Sequence, residues 1–169
     1  MGKIKVVIDT CVLVVAGISK SANYAHTVIQ KGLSDEIDFY GSDETIEEVK
    51  NIFNRPKFKG LLDTPKAQKL LQDYLKKVKQ TPLKKEFLDQ AKGECKDPKD
   101  TPFLALAHQN QCEFITSVDQ KDLLSLVSYR GIKILKPADL VKEIQELEES
   151  QDDTKTSHQN IPESHNLFN

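Results

Sequence analysis

Four carboxylates are spaced along this chain so that an alternating α/β fold would gather them: Asp9, Glu48, Asp100 and Asp119. Asp9 is the most telling. The stretch Lys5-Val6-Val7-Ile8-Asp9-Thr10-Cys11-Val12-Leu13 sets a charge into a run that otherwise reads as a buried parallel strand. A buried carboxylate costs several kcal/mol unless a cation or hydrogen bonds compensate it. Four oxygen donors of this kind suit Mg²⁺ or Mn²⁺, hard cations that keep several waters and bridge carboxylates to phosphate. A metal so held can lower the pKa of a bound water and neutralise charge on a phosphodiester displaced in line. Each acid also has a plainer role. Asp9 could cap a turn, Glu48 shares its helix with Glu44 and Glu47 on what is ordinarily a solvated face, and Asp100 stands where an N-cap would. Asp119 and Asp122 lie close together in Ser117-Val118-Asp119-Gln120-Lys121-Asp122, where either could cap the helix that follows. The set carries more weight than any member. His26, His108, His158 and His165 are not arranged with a nucleophile.

The elements that must position these acids follow from hydrophobic period and punctuation. Strands are expected over about 4–8, 38–40, 112–117 and 132–135, and helices over 23–31, 43–53, 61–78, 100–110, 123–129 and 138–148. Ser42 is the natural N-cap of the helix over 43–53, whose first turn is acidic as the helix dipole prefers. That helix should end before Arg55-Pro56. Residues 79–99, lysine-rich and punctuated by Pro82, Gly93 and Pro98, read as a short strand or loop. The alternation predicts an α/β three-layer α/β/α sandwich with a mostly parallel central sheet. In such sheets ligands collect beyond the carboxyl ends of the strands, where the strand order reverses, and Asp9 and Asp119 both follow strands.

At 169 residues the chain is long enough for one domain with its own core, assigned to 1–148, with 149–169 a polar, acidic, disordered tail. The stretch from Lys142 onward holds seven acids against two lysines, which leaves the body mildly basic. A basic body around an acidic centre favours a groove for a polyanion, with Arg55 and Lys57, on the loop after the Glu48 helix, as first candidates for phosphate contacts. Cys11, Cys95 and Cys112 are odd in number and lack zinc spacing, so they read as reduced thiols of a cytoplasmic protein. The N-terminal apolar run is broken by Asp9 and reads as neither a signal peptide nor a membrane span.

Several motifs in order resemble the PIN domain family. They are Val7-Ile8-Asp9-Thr10-Cys11-Val12-Leu13-Val14; Ser42 with Glu48-Val49 and Asn54-Arg55-Pro56-Lys57-Phe58; Asp97-Pro98-Lys99-Asp100-Thr101-Pro102-Phe103-Leu104-Ala105-Leu106-Ala107; and Phe114-Ile115-Thr116 with Asp122-Leu123-Leu124. The resemblance spans roughly 4–140 and is nearest to PIN proteins that serve as toxin components of toxin–antitoxin systems. It implies an endoribonuclease, a hydrolase using Mg²⁺ or Mn²⁺ held by Asp9, Glu48, Asp100 and Asp119, with single-stranded RNA as substrate. An antitoxin protein and a second copy of the chain are the protein partners it leaves open. Thr10, Ser42, Thr116 and Asp122 are then expected to orient the metal-binding carboxylates or a bound water. Two departures stand out. The family usually carries asparagine where this chain has Cys11, and its spacing near Thr116 leaves Asp119 and Asp122 competing as fourth acid, with Asp119 favoured as nearer the strand end.

The rival from another class is a receiver-like signalling module, which also places acids after its first strand and a Lys-Pro pair after its last, as in Leu135-Lys136-Pro137. It requires adjacent acids after strand one and a phosphate-accepting aspartate after a middle strand; this chain offers only Asp9. A phosphatase of the Asp-x-Asp type fails because Cys11 occupies the second position. A PIN fold that has weakened catalysis and only binds RNA or protein is the remaining alternative.

Overall fold

A computed structural model describes residues 2–165, with side chains through Asp152. Its sheet has six strands in the order β3 (Lys79–Gln80), β2 (Ile37–Gly41), β1 (Ile4–Ile8), β4 (Phe114–Thr116), β6 (Ile132–Leu135) and β5 (Ser128–Tyr129). All neighbours are parallel except β5, which turns back antiparallel on β6. Arg130 and Gly131, both with positive φ (50° and 82°), make the two-residue turn between them. Two positive-φ residues give the twist that a tight hairpin needs.

Alternation along the central strands sends side chains to two cores. Val6 and Ile8 of β1 join Ile37, Phe39 and Phe114 beneath α1 (Thr10–Ile18), α2 (Tyr24–Leu33), α3 (Asp43–Phe53), α4 (Pro65–Lys77) and α8 (Pro137–His165). Val7 and Ile115 face the other way, against α5 (Lys85–Ala91), α6 (Thr101–Gln109) and α7 (Leu123–Leu126). The result is the expected α/β/α sandwich, with a parallel centre buried on both faces.

Close backbone approach is set at one position in particular. A methyl group on Gly32 of α2 would overlap the ring of Phe39, so α2 can lie on β2 only because residue 32 has no side chain.

The element limits of β1, α3 and β6 agree with the sequence reading, and four features correct it. The residues after Asp9 form α1 at once, where no helix was expected; Val12, Leu13 and Ala16 are fully buried, so this helix carries apolar residues with no polar stripe to betray it. Residues 79–99, read as strand or loop, contain α5, held to α6 through Phe87, Leu88 and the buried Ala91. The expected helix over 123–129 stops at Leu126 and gives way to β5. The last helix runs past residue 148, where it was expected to end, and spans Pro137–His165. It is anchored by Leu140, Val141 and Ile144. The expected disordered tail over 149–169 falls partly outside the described residues, which exclude the side chains from 153 and all of 166–169.

Candidate metal centre

β1 sits at the point where strand order reverses, with β2 on one side and β4 on the other, and the register pairs Ile8 with Thr116. The next residues, Asp9 and Ser117, therefore leave the two strands side by side at the carboxyl edge. The ladder continues one step, the Asp9 amide donating to the Thr116 carbonyl at 2.9 Å. Asp9 is 8% exposed and N-caps α1 without a side-chain cap bond, which removes the capping explanation for its carboxylate. Instead Ser117 Oγ donates to Asp9 Oδ2 at 2.7 Å, and Cys11 Sγ to the same oxygen at 3.2 Å. Ser117 Oγ in turn accepts the Asp119 amide at 3.1 Å, and Cys11 Sγ accepts the Val118 amide at 3.4 Å. This small network ties the first turn of α1 to the loop after β4 and fixes which oxygen of Asp9 is occupied by protein.

Thr10 Oγ1 donates to Glu48 Oε2 at 2.6 Å. Glu48 reaches the edge from the middle of α3, whose start is fixed by a reciprocal cap: Ser42 Oγ accepts the Thr45 amide, and Thr45 Oγ1 accepts the Ser42 amide. Asp100 ends a short 3₁₀ turn, Pro98–Asp100, that leads into α6; as N-cap of α6 it makes no side-chain cap bond, so its carboxylate too is unspent on the helix. Asp9, Glu48, Asp100, Asp119 and Asp122 line one cleft of about 430 Å³ together with Asp97, Arg55, Lys57, Lys99 and the apolar Val14 and Phe58. Oxygen atoms of Asp97, Asp100 and Asp122 all lie within 4.8 Å of one another.

The electrostatics follow from this crowding. Asp100 is pushed up to about 7, first by burial and then by the charges of Asp9, Asp97, Asp122 and Glu48. Burial also raises Asp9, with Asp119 adding to it and the bonds from Ser117 and Cys11 offsetting it. Glu48 is raised by burial and by Asp9, against the Thr10 bond and the cations Arg55 and Lys99. Asp122 is raised chiefly through a hydrogen bond with Asp119, so these two acids interact directly at the mouth. Burial pushes the Cys11 thiol up to about 12, which keeps it a neutral S–H donor. Several carboxylates held together at an energetic cost, all of them oxygen donors, fit a hard divalent cation.

The sequence-level candidates divide as follows. The four acids, Asp122 and Thr10 line the cleft, and so do Arg55 and Lys57, but among the described residues the group of three acids whose oxygens come within 4.8 Å of one another is Asp97, Asp100 and Asp122, without Asp9, Glu48 or Asp119. Ser42 does not; it is wholly buried and spent on capping α3. Thr116 does not orient a carboxylate either: its buried Oγ1 has no partner, and the neighbouring Ser117 makes the bond expected of it. Alternation along β4 allows only one of the two hydroxyls to face Asp9. Asp97, Ser117 and Lys99 were not singled out. Asp97 was legible, since Asp97-Pro98-Lys99-Asp100 puts a second acid three residues before the first, a spacing that one tight turn closes.

A mostly parallel sheet between two helical layers, with carboxylates at its switch point, defines a PIN-like α/β protein. A family model described as "PIN domain" matches residues 5–121, and the chain belongs to that family, whose members are generally nucleases. No curated protein matches it in sequence. Among solved structures it is similar to PAE2754 from Pyrobaculum aerophilum, at 16% identity and a TM-score of 0.57, covering 86% of this chain and 98% of that one. It is also similar to a chain in the structure of FitAB bound to an IR36 DNA fragment, at 16% identity and a TM-score of 0.54, covering 78% and 94%. These likenesses establish the shared fold. Family membership removes the receiver-like alternative. No helix among the described residues is long and apolar enough to cross a membrane.

Proposed function

We propose that this protein is a divalent-metal-dependent endoribonuclease that hydrolyses phosphodiesters of single-stranded RNA in the cytoplasm, as the toxin component of a toxin–antitoxin pair. The observation that carries the reading is the convergence of Asp9, Glu48, Asp100 and Asp119 on one cleft beside cations able to hold a phosphate backbone. Asp9, Glu48 and Asp100 would hold Mg²⁺ or Mn²⁺, with Asp119 as the fourth acid and Asp97 and Asp122 beside it. Once bound, such a cation supplies an activated water and neutralises charge on the phosphate.

The chain's own residues do the rest. Ser117 and Cys11 occupy Asp9 Oδ2 and so leave its other oxygen for the cleft. Thr10 does the same for Glu48 by taking Oε2. Such outer contacts ordinarily set ligand orientation and basicity. Arg55, Lys57 and Lys99 hold the RNA backbone through phosphate contacts that carry no base preference, and binding therefore weakens with salt. Cys11 replaces the usual asparagine without leaving Asp9 unsupported, which argues against the reading of a fold that has lost its chemistry. The fold shared with a chain of the FitAB structure supports a protein partner for this chain as well, proposed to be an antitoxin, and a second copy of the chain is the other partner proposed.

The test is cleavage of labelled single-stranded RNA with Mn²⁺ or Mg²⁺, run beside single-stranded DNA and duplex RNA. Metal-dependent cuts internal to the single-stranded RNA support the assignment. Absence of any cut, or cuts only in DNA, refutes it.

A further inference from the structure

A second pocket, also about 430 Å³, adjoins the acidic cleft across a common wall made by Glu48, Arg55 and Lys99. Its volume falls within the rough 300–1,000 Å³ range of small-ligand sites, enough for a single nucleoside. Its floor is Pro102 and the buried Phe103 at the start of α6, and its side is the exposed Asn51 of α3. Its outer rim is Glu44 and Glu47. Neither Arg55 nor Lys99 forms an ion pair within 4.0 Å among the described residues, so both cations on the wall are available.

We propose that this second pocket is a nucleotide subsite, which seats the base of the residue adjacent to the cleaved phosphodiester while Arg55 and Lys99 hold the intervening phosphate. The inference rests on the nuclease reading and assigns part of the substrate to a place. Each wall does something a nucleotide requires. Pro102, half-buried over the core residue Phe103, offers apolar surface to a flat base, Asn51 offers both a donor and an acceptor to a base edge, and the two cations face the one place where the strand must cross from cleft to pocket. The rim decides the length. A further phosphate leaving the pocket would meet the Glu44 and Glu47 carboxylates, whose like charge repels it, so the pocket takes one nucleotide and the strand turns away into solvent.

The experiment uses the full chain with Mn²⁺ and a 5′-labelled single-stranded RNA of about a dozen nucleotides, comparable to single-strand site sizes. Once the cut is mapped, the RNA is remade with an abasic ribose on one side of the cut or on the other. An abasic residue on one side only is expected to lower kcat/KM roughly tenfold, the scale of one lost base contact. Asn51→Trp fills the pocket from an exposed helix position, and in that variant the unmodified and abasic RNAs should be cut alike, because the two losses remove the same contact. Lys99→Ala and Arg55→Ala should weaken both RNAs equally. Equal cleavage of both RNAs by the wild type, or full discrimination retained in Asn51→Trp, overturns the subsite. Fluorescence anisotropy of the same RNAs without divalent metal separates the two claims. Weaker binding of the abasic RNA that is also cut more slowly keeps the subsite, cleavage with no base dependence in rate or affinity removes it and leaves the nuclease reading standing, and absence of any cut in the unmodified RNA removes the nuclease reading and the subsite with it.

Discussion

Asp100→Asn should make the metal-free protein more stable while removing its catalysis, and the gain should depend on pH in a defined direction. Asp100 is raised from 3.8 to about 7 by burial and by Asp9, Asp97, Asp122 and Glu48. A shift of roughly three units at about 1.4 kcal/mol each sets a ceiling of about 4 kcal/mol. The side chain is only half-buried, and solvent screening trims the expected effect to about 1–2 kcal/mol. The sign follows from the proton count. The folded state holds its proton more tightly than the open chain, so the favourable contribution is complete below the ordinary carboxylate range and is lost as pH rises through about 7. Asparagine has nearly the same shape and never ionises. In chelator-treated protein near pH 8, Asp100→Asn should therefore melt about 2–8 °C higher than wild type, a difference that fades toward pH 4. Added Mn²⁺ should narrow the gap from the wild-type side only. A variant that melts lower at pH 8, or a gap of constant size across the range, would show that Asp100 does not stand among repelling charges.

Three further outcomes follow from single contacts. Ser117→Ala removes the 2.7 Å bond to Asp9 and should weaken Mn²⁺ binding about 10–100-fold by calorimetry, whereas Thr116→Ser should leave it within a few-fold, since Thr116 Oγ1 has no partner. Gly32→Ala drives a methyl into the Phe39 ring and should cost about 1–3 kcal/mol in urea denaturation; an unchanged midpoint would mean that α2 can lift off β2 freely. Truncation after Asp152 keeps the Leu140, Val141 and Ile144 anchors of α8 and should leave both melting temperature and RNA cleavage nearly unchanged, so a large loss in either would assign the tail a structural role.

The parts of this molecule legible in its sequence are those where local chemistry and tertiary context agree. Asp43–Phe53 has a capping serine, an acidic first turn and a proline shortly beyond its end, and its limits could be read directly. Asp9 was legible because a charge in a buried run demands a reason. α1 was not, since Val12, Val14 and Val15 are β-branched residues that favour strands; packing of its buried face, Val12, Leu13 and Ala16, among α2, α3 and α4 overrides that preference. α5 was hidden by its lysines, and β5 by its two-residue length. At the site, residue types told which acids to consider but not which hydroxyl serves them. The choice of Ser117 over Thr116 is set by the β1–β4 register, a long-range fact that spacing along the chain does not carry. Lys99 reaches the cleft through a single 3₁₀ turn whose proline reads, in sequence, as mere punctuation, whereas the spacing of Asp97 to Asp100 could have been read.

The central claim, that the carboxylates at the switch point hold a catalytic divalent cation, is tested most directly by Asp9→Asn. Labelled single-stranded RNA is incubated with wild type and variant, each with Mn²⁺ and each with chelator, beside circular dichroism of both proteins. Wild type should cut only with metal, and the variant should keep its spectrum while cutting at least about 100-fold more slowly. Undiminished cleavage by folded Asp9→Asn, or cleavage by wild type in chelator, would contradict the account.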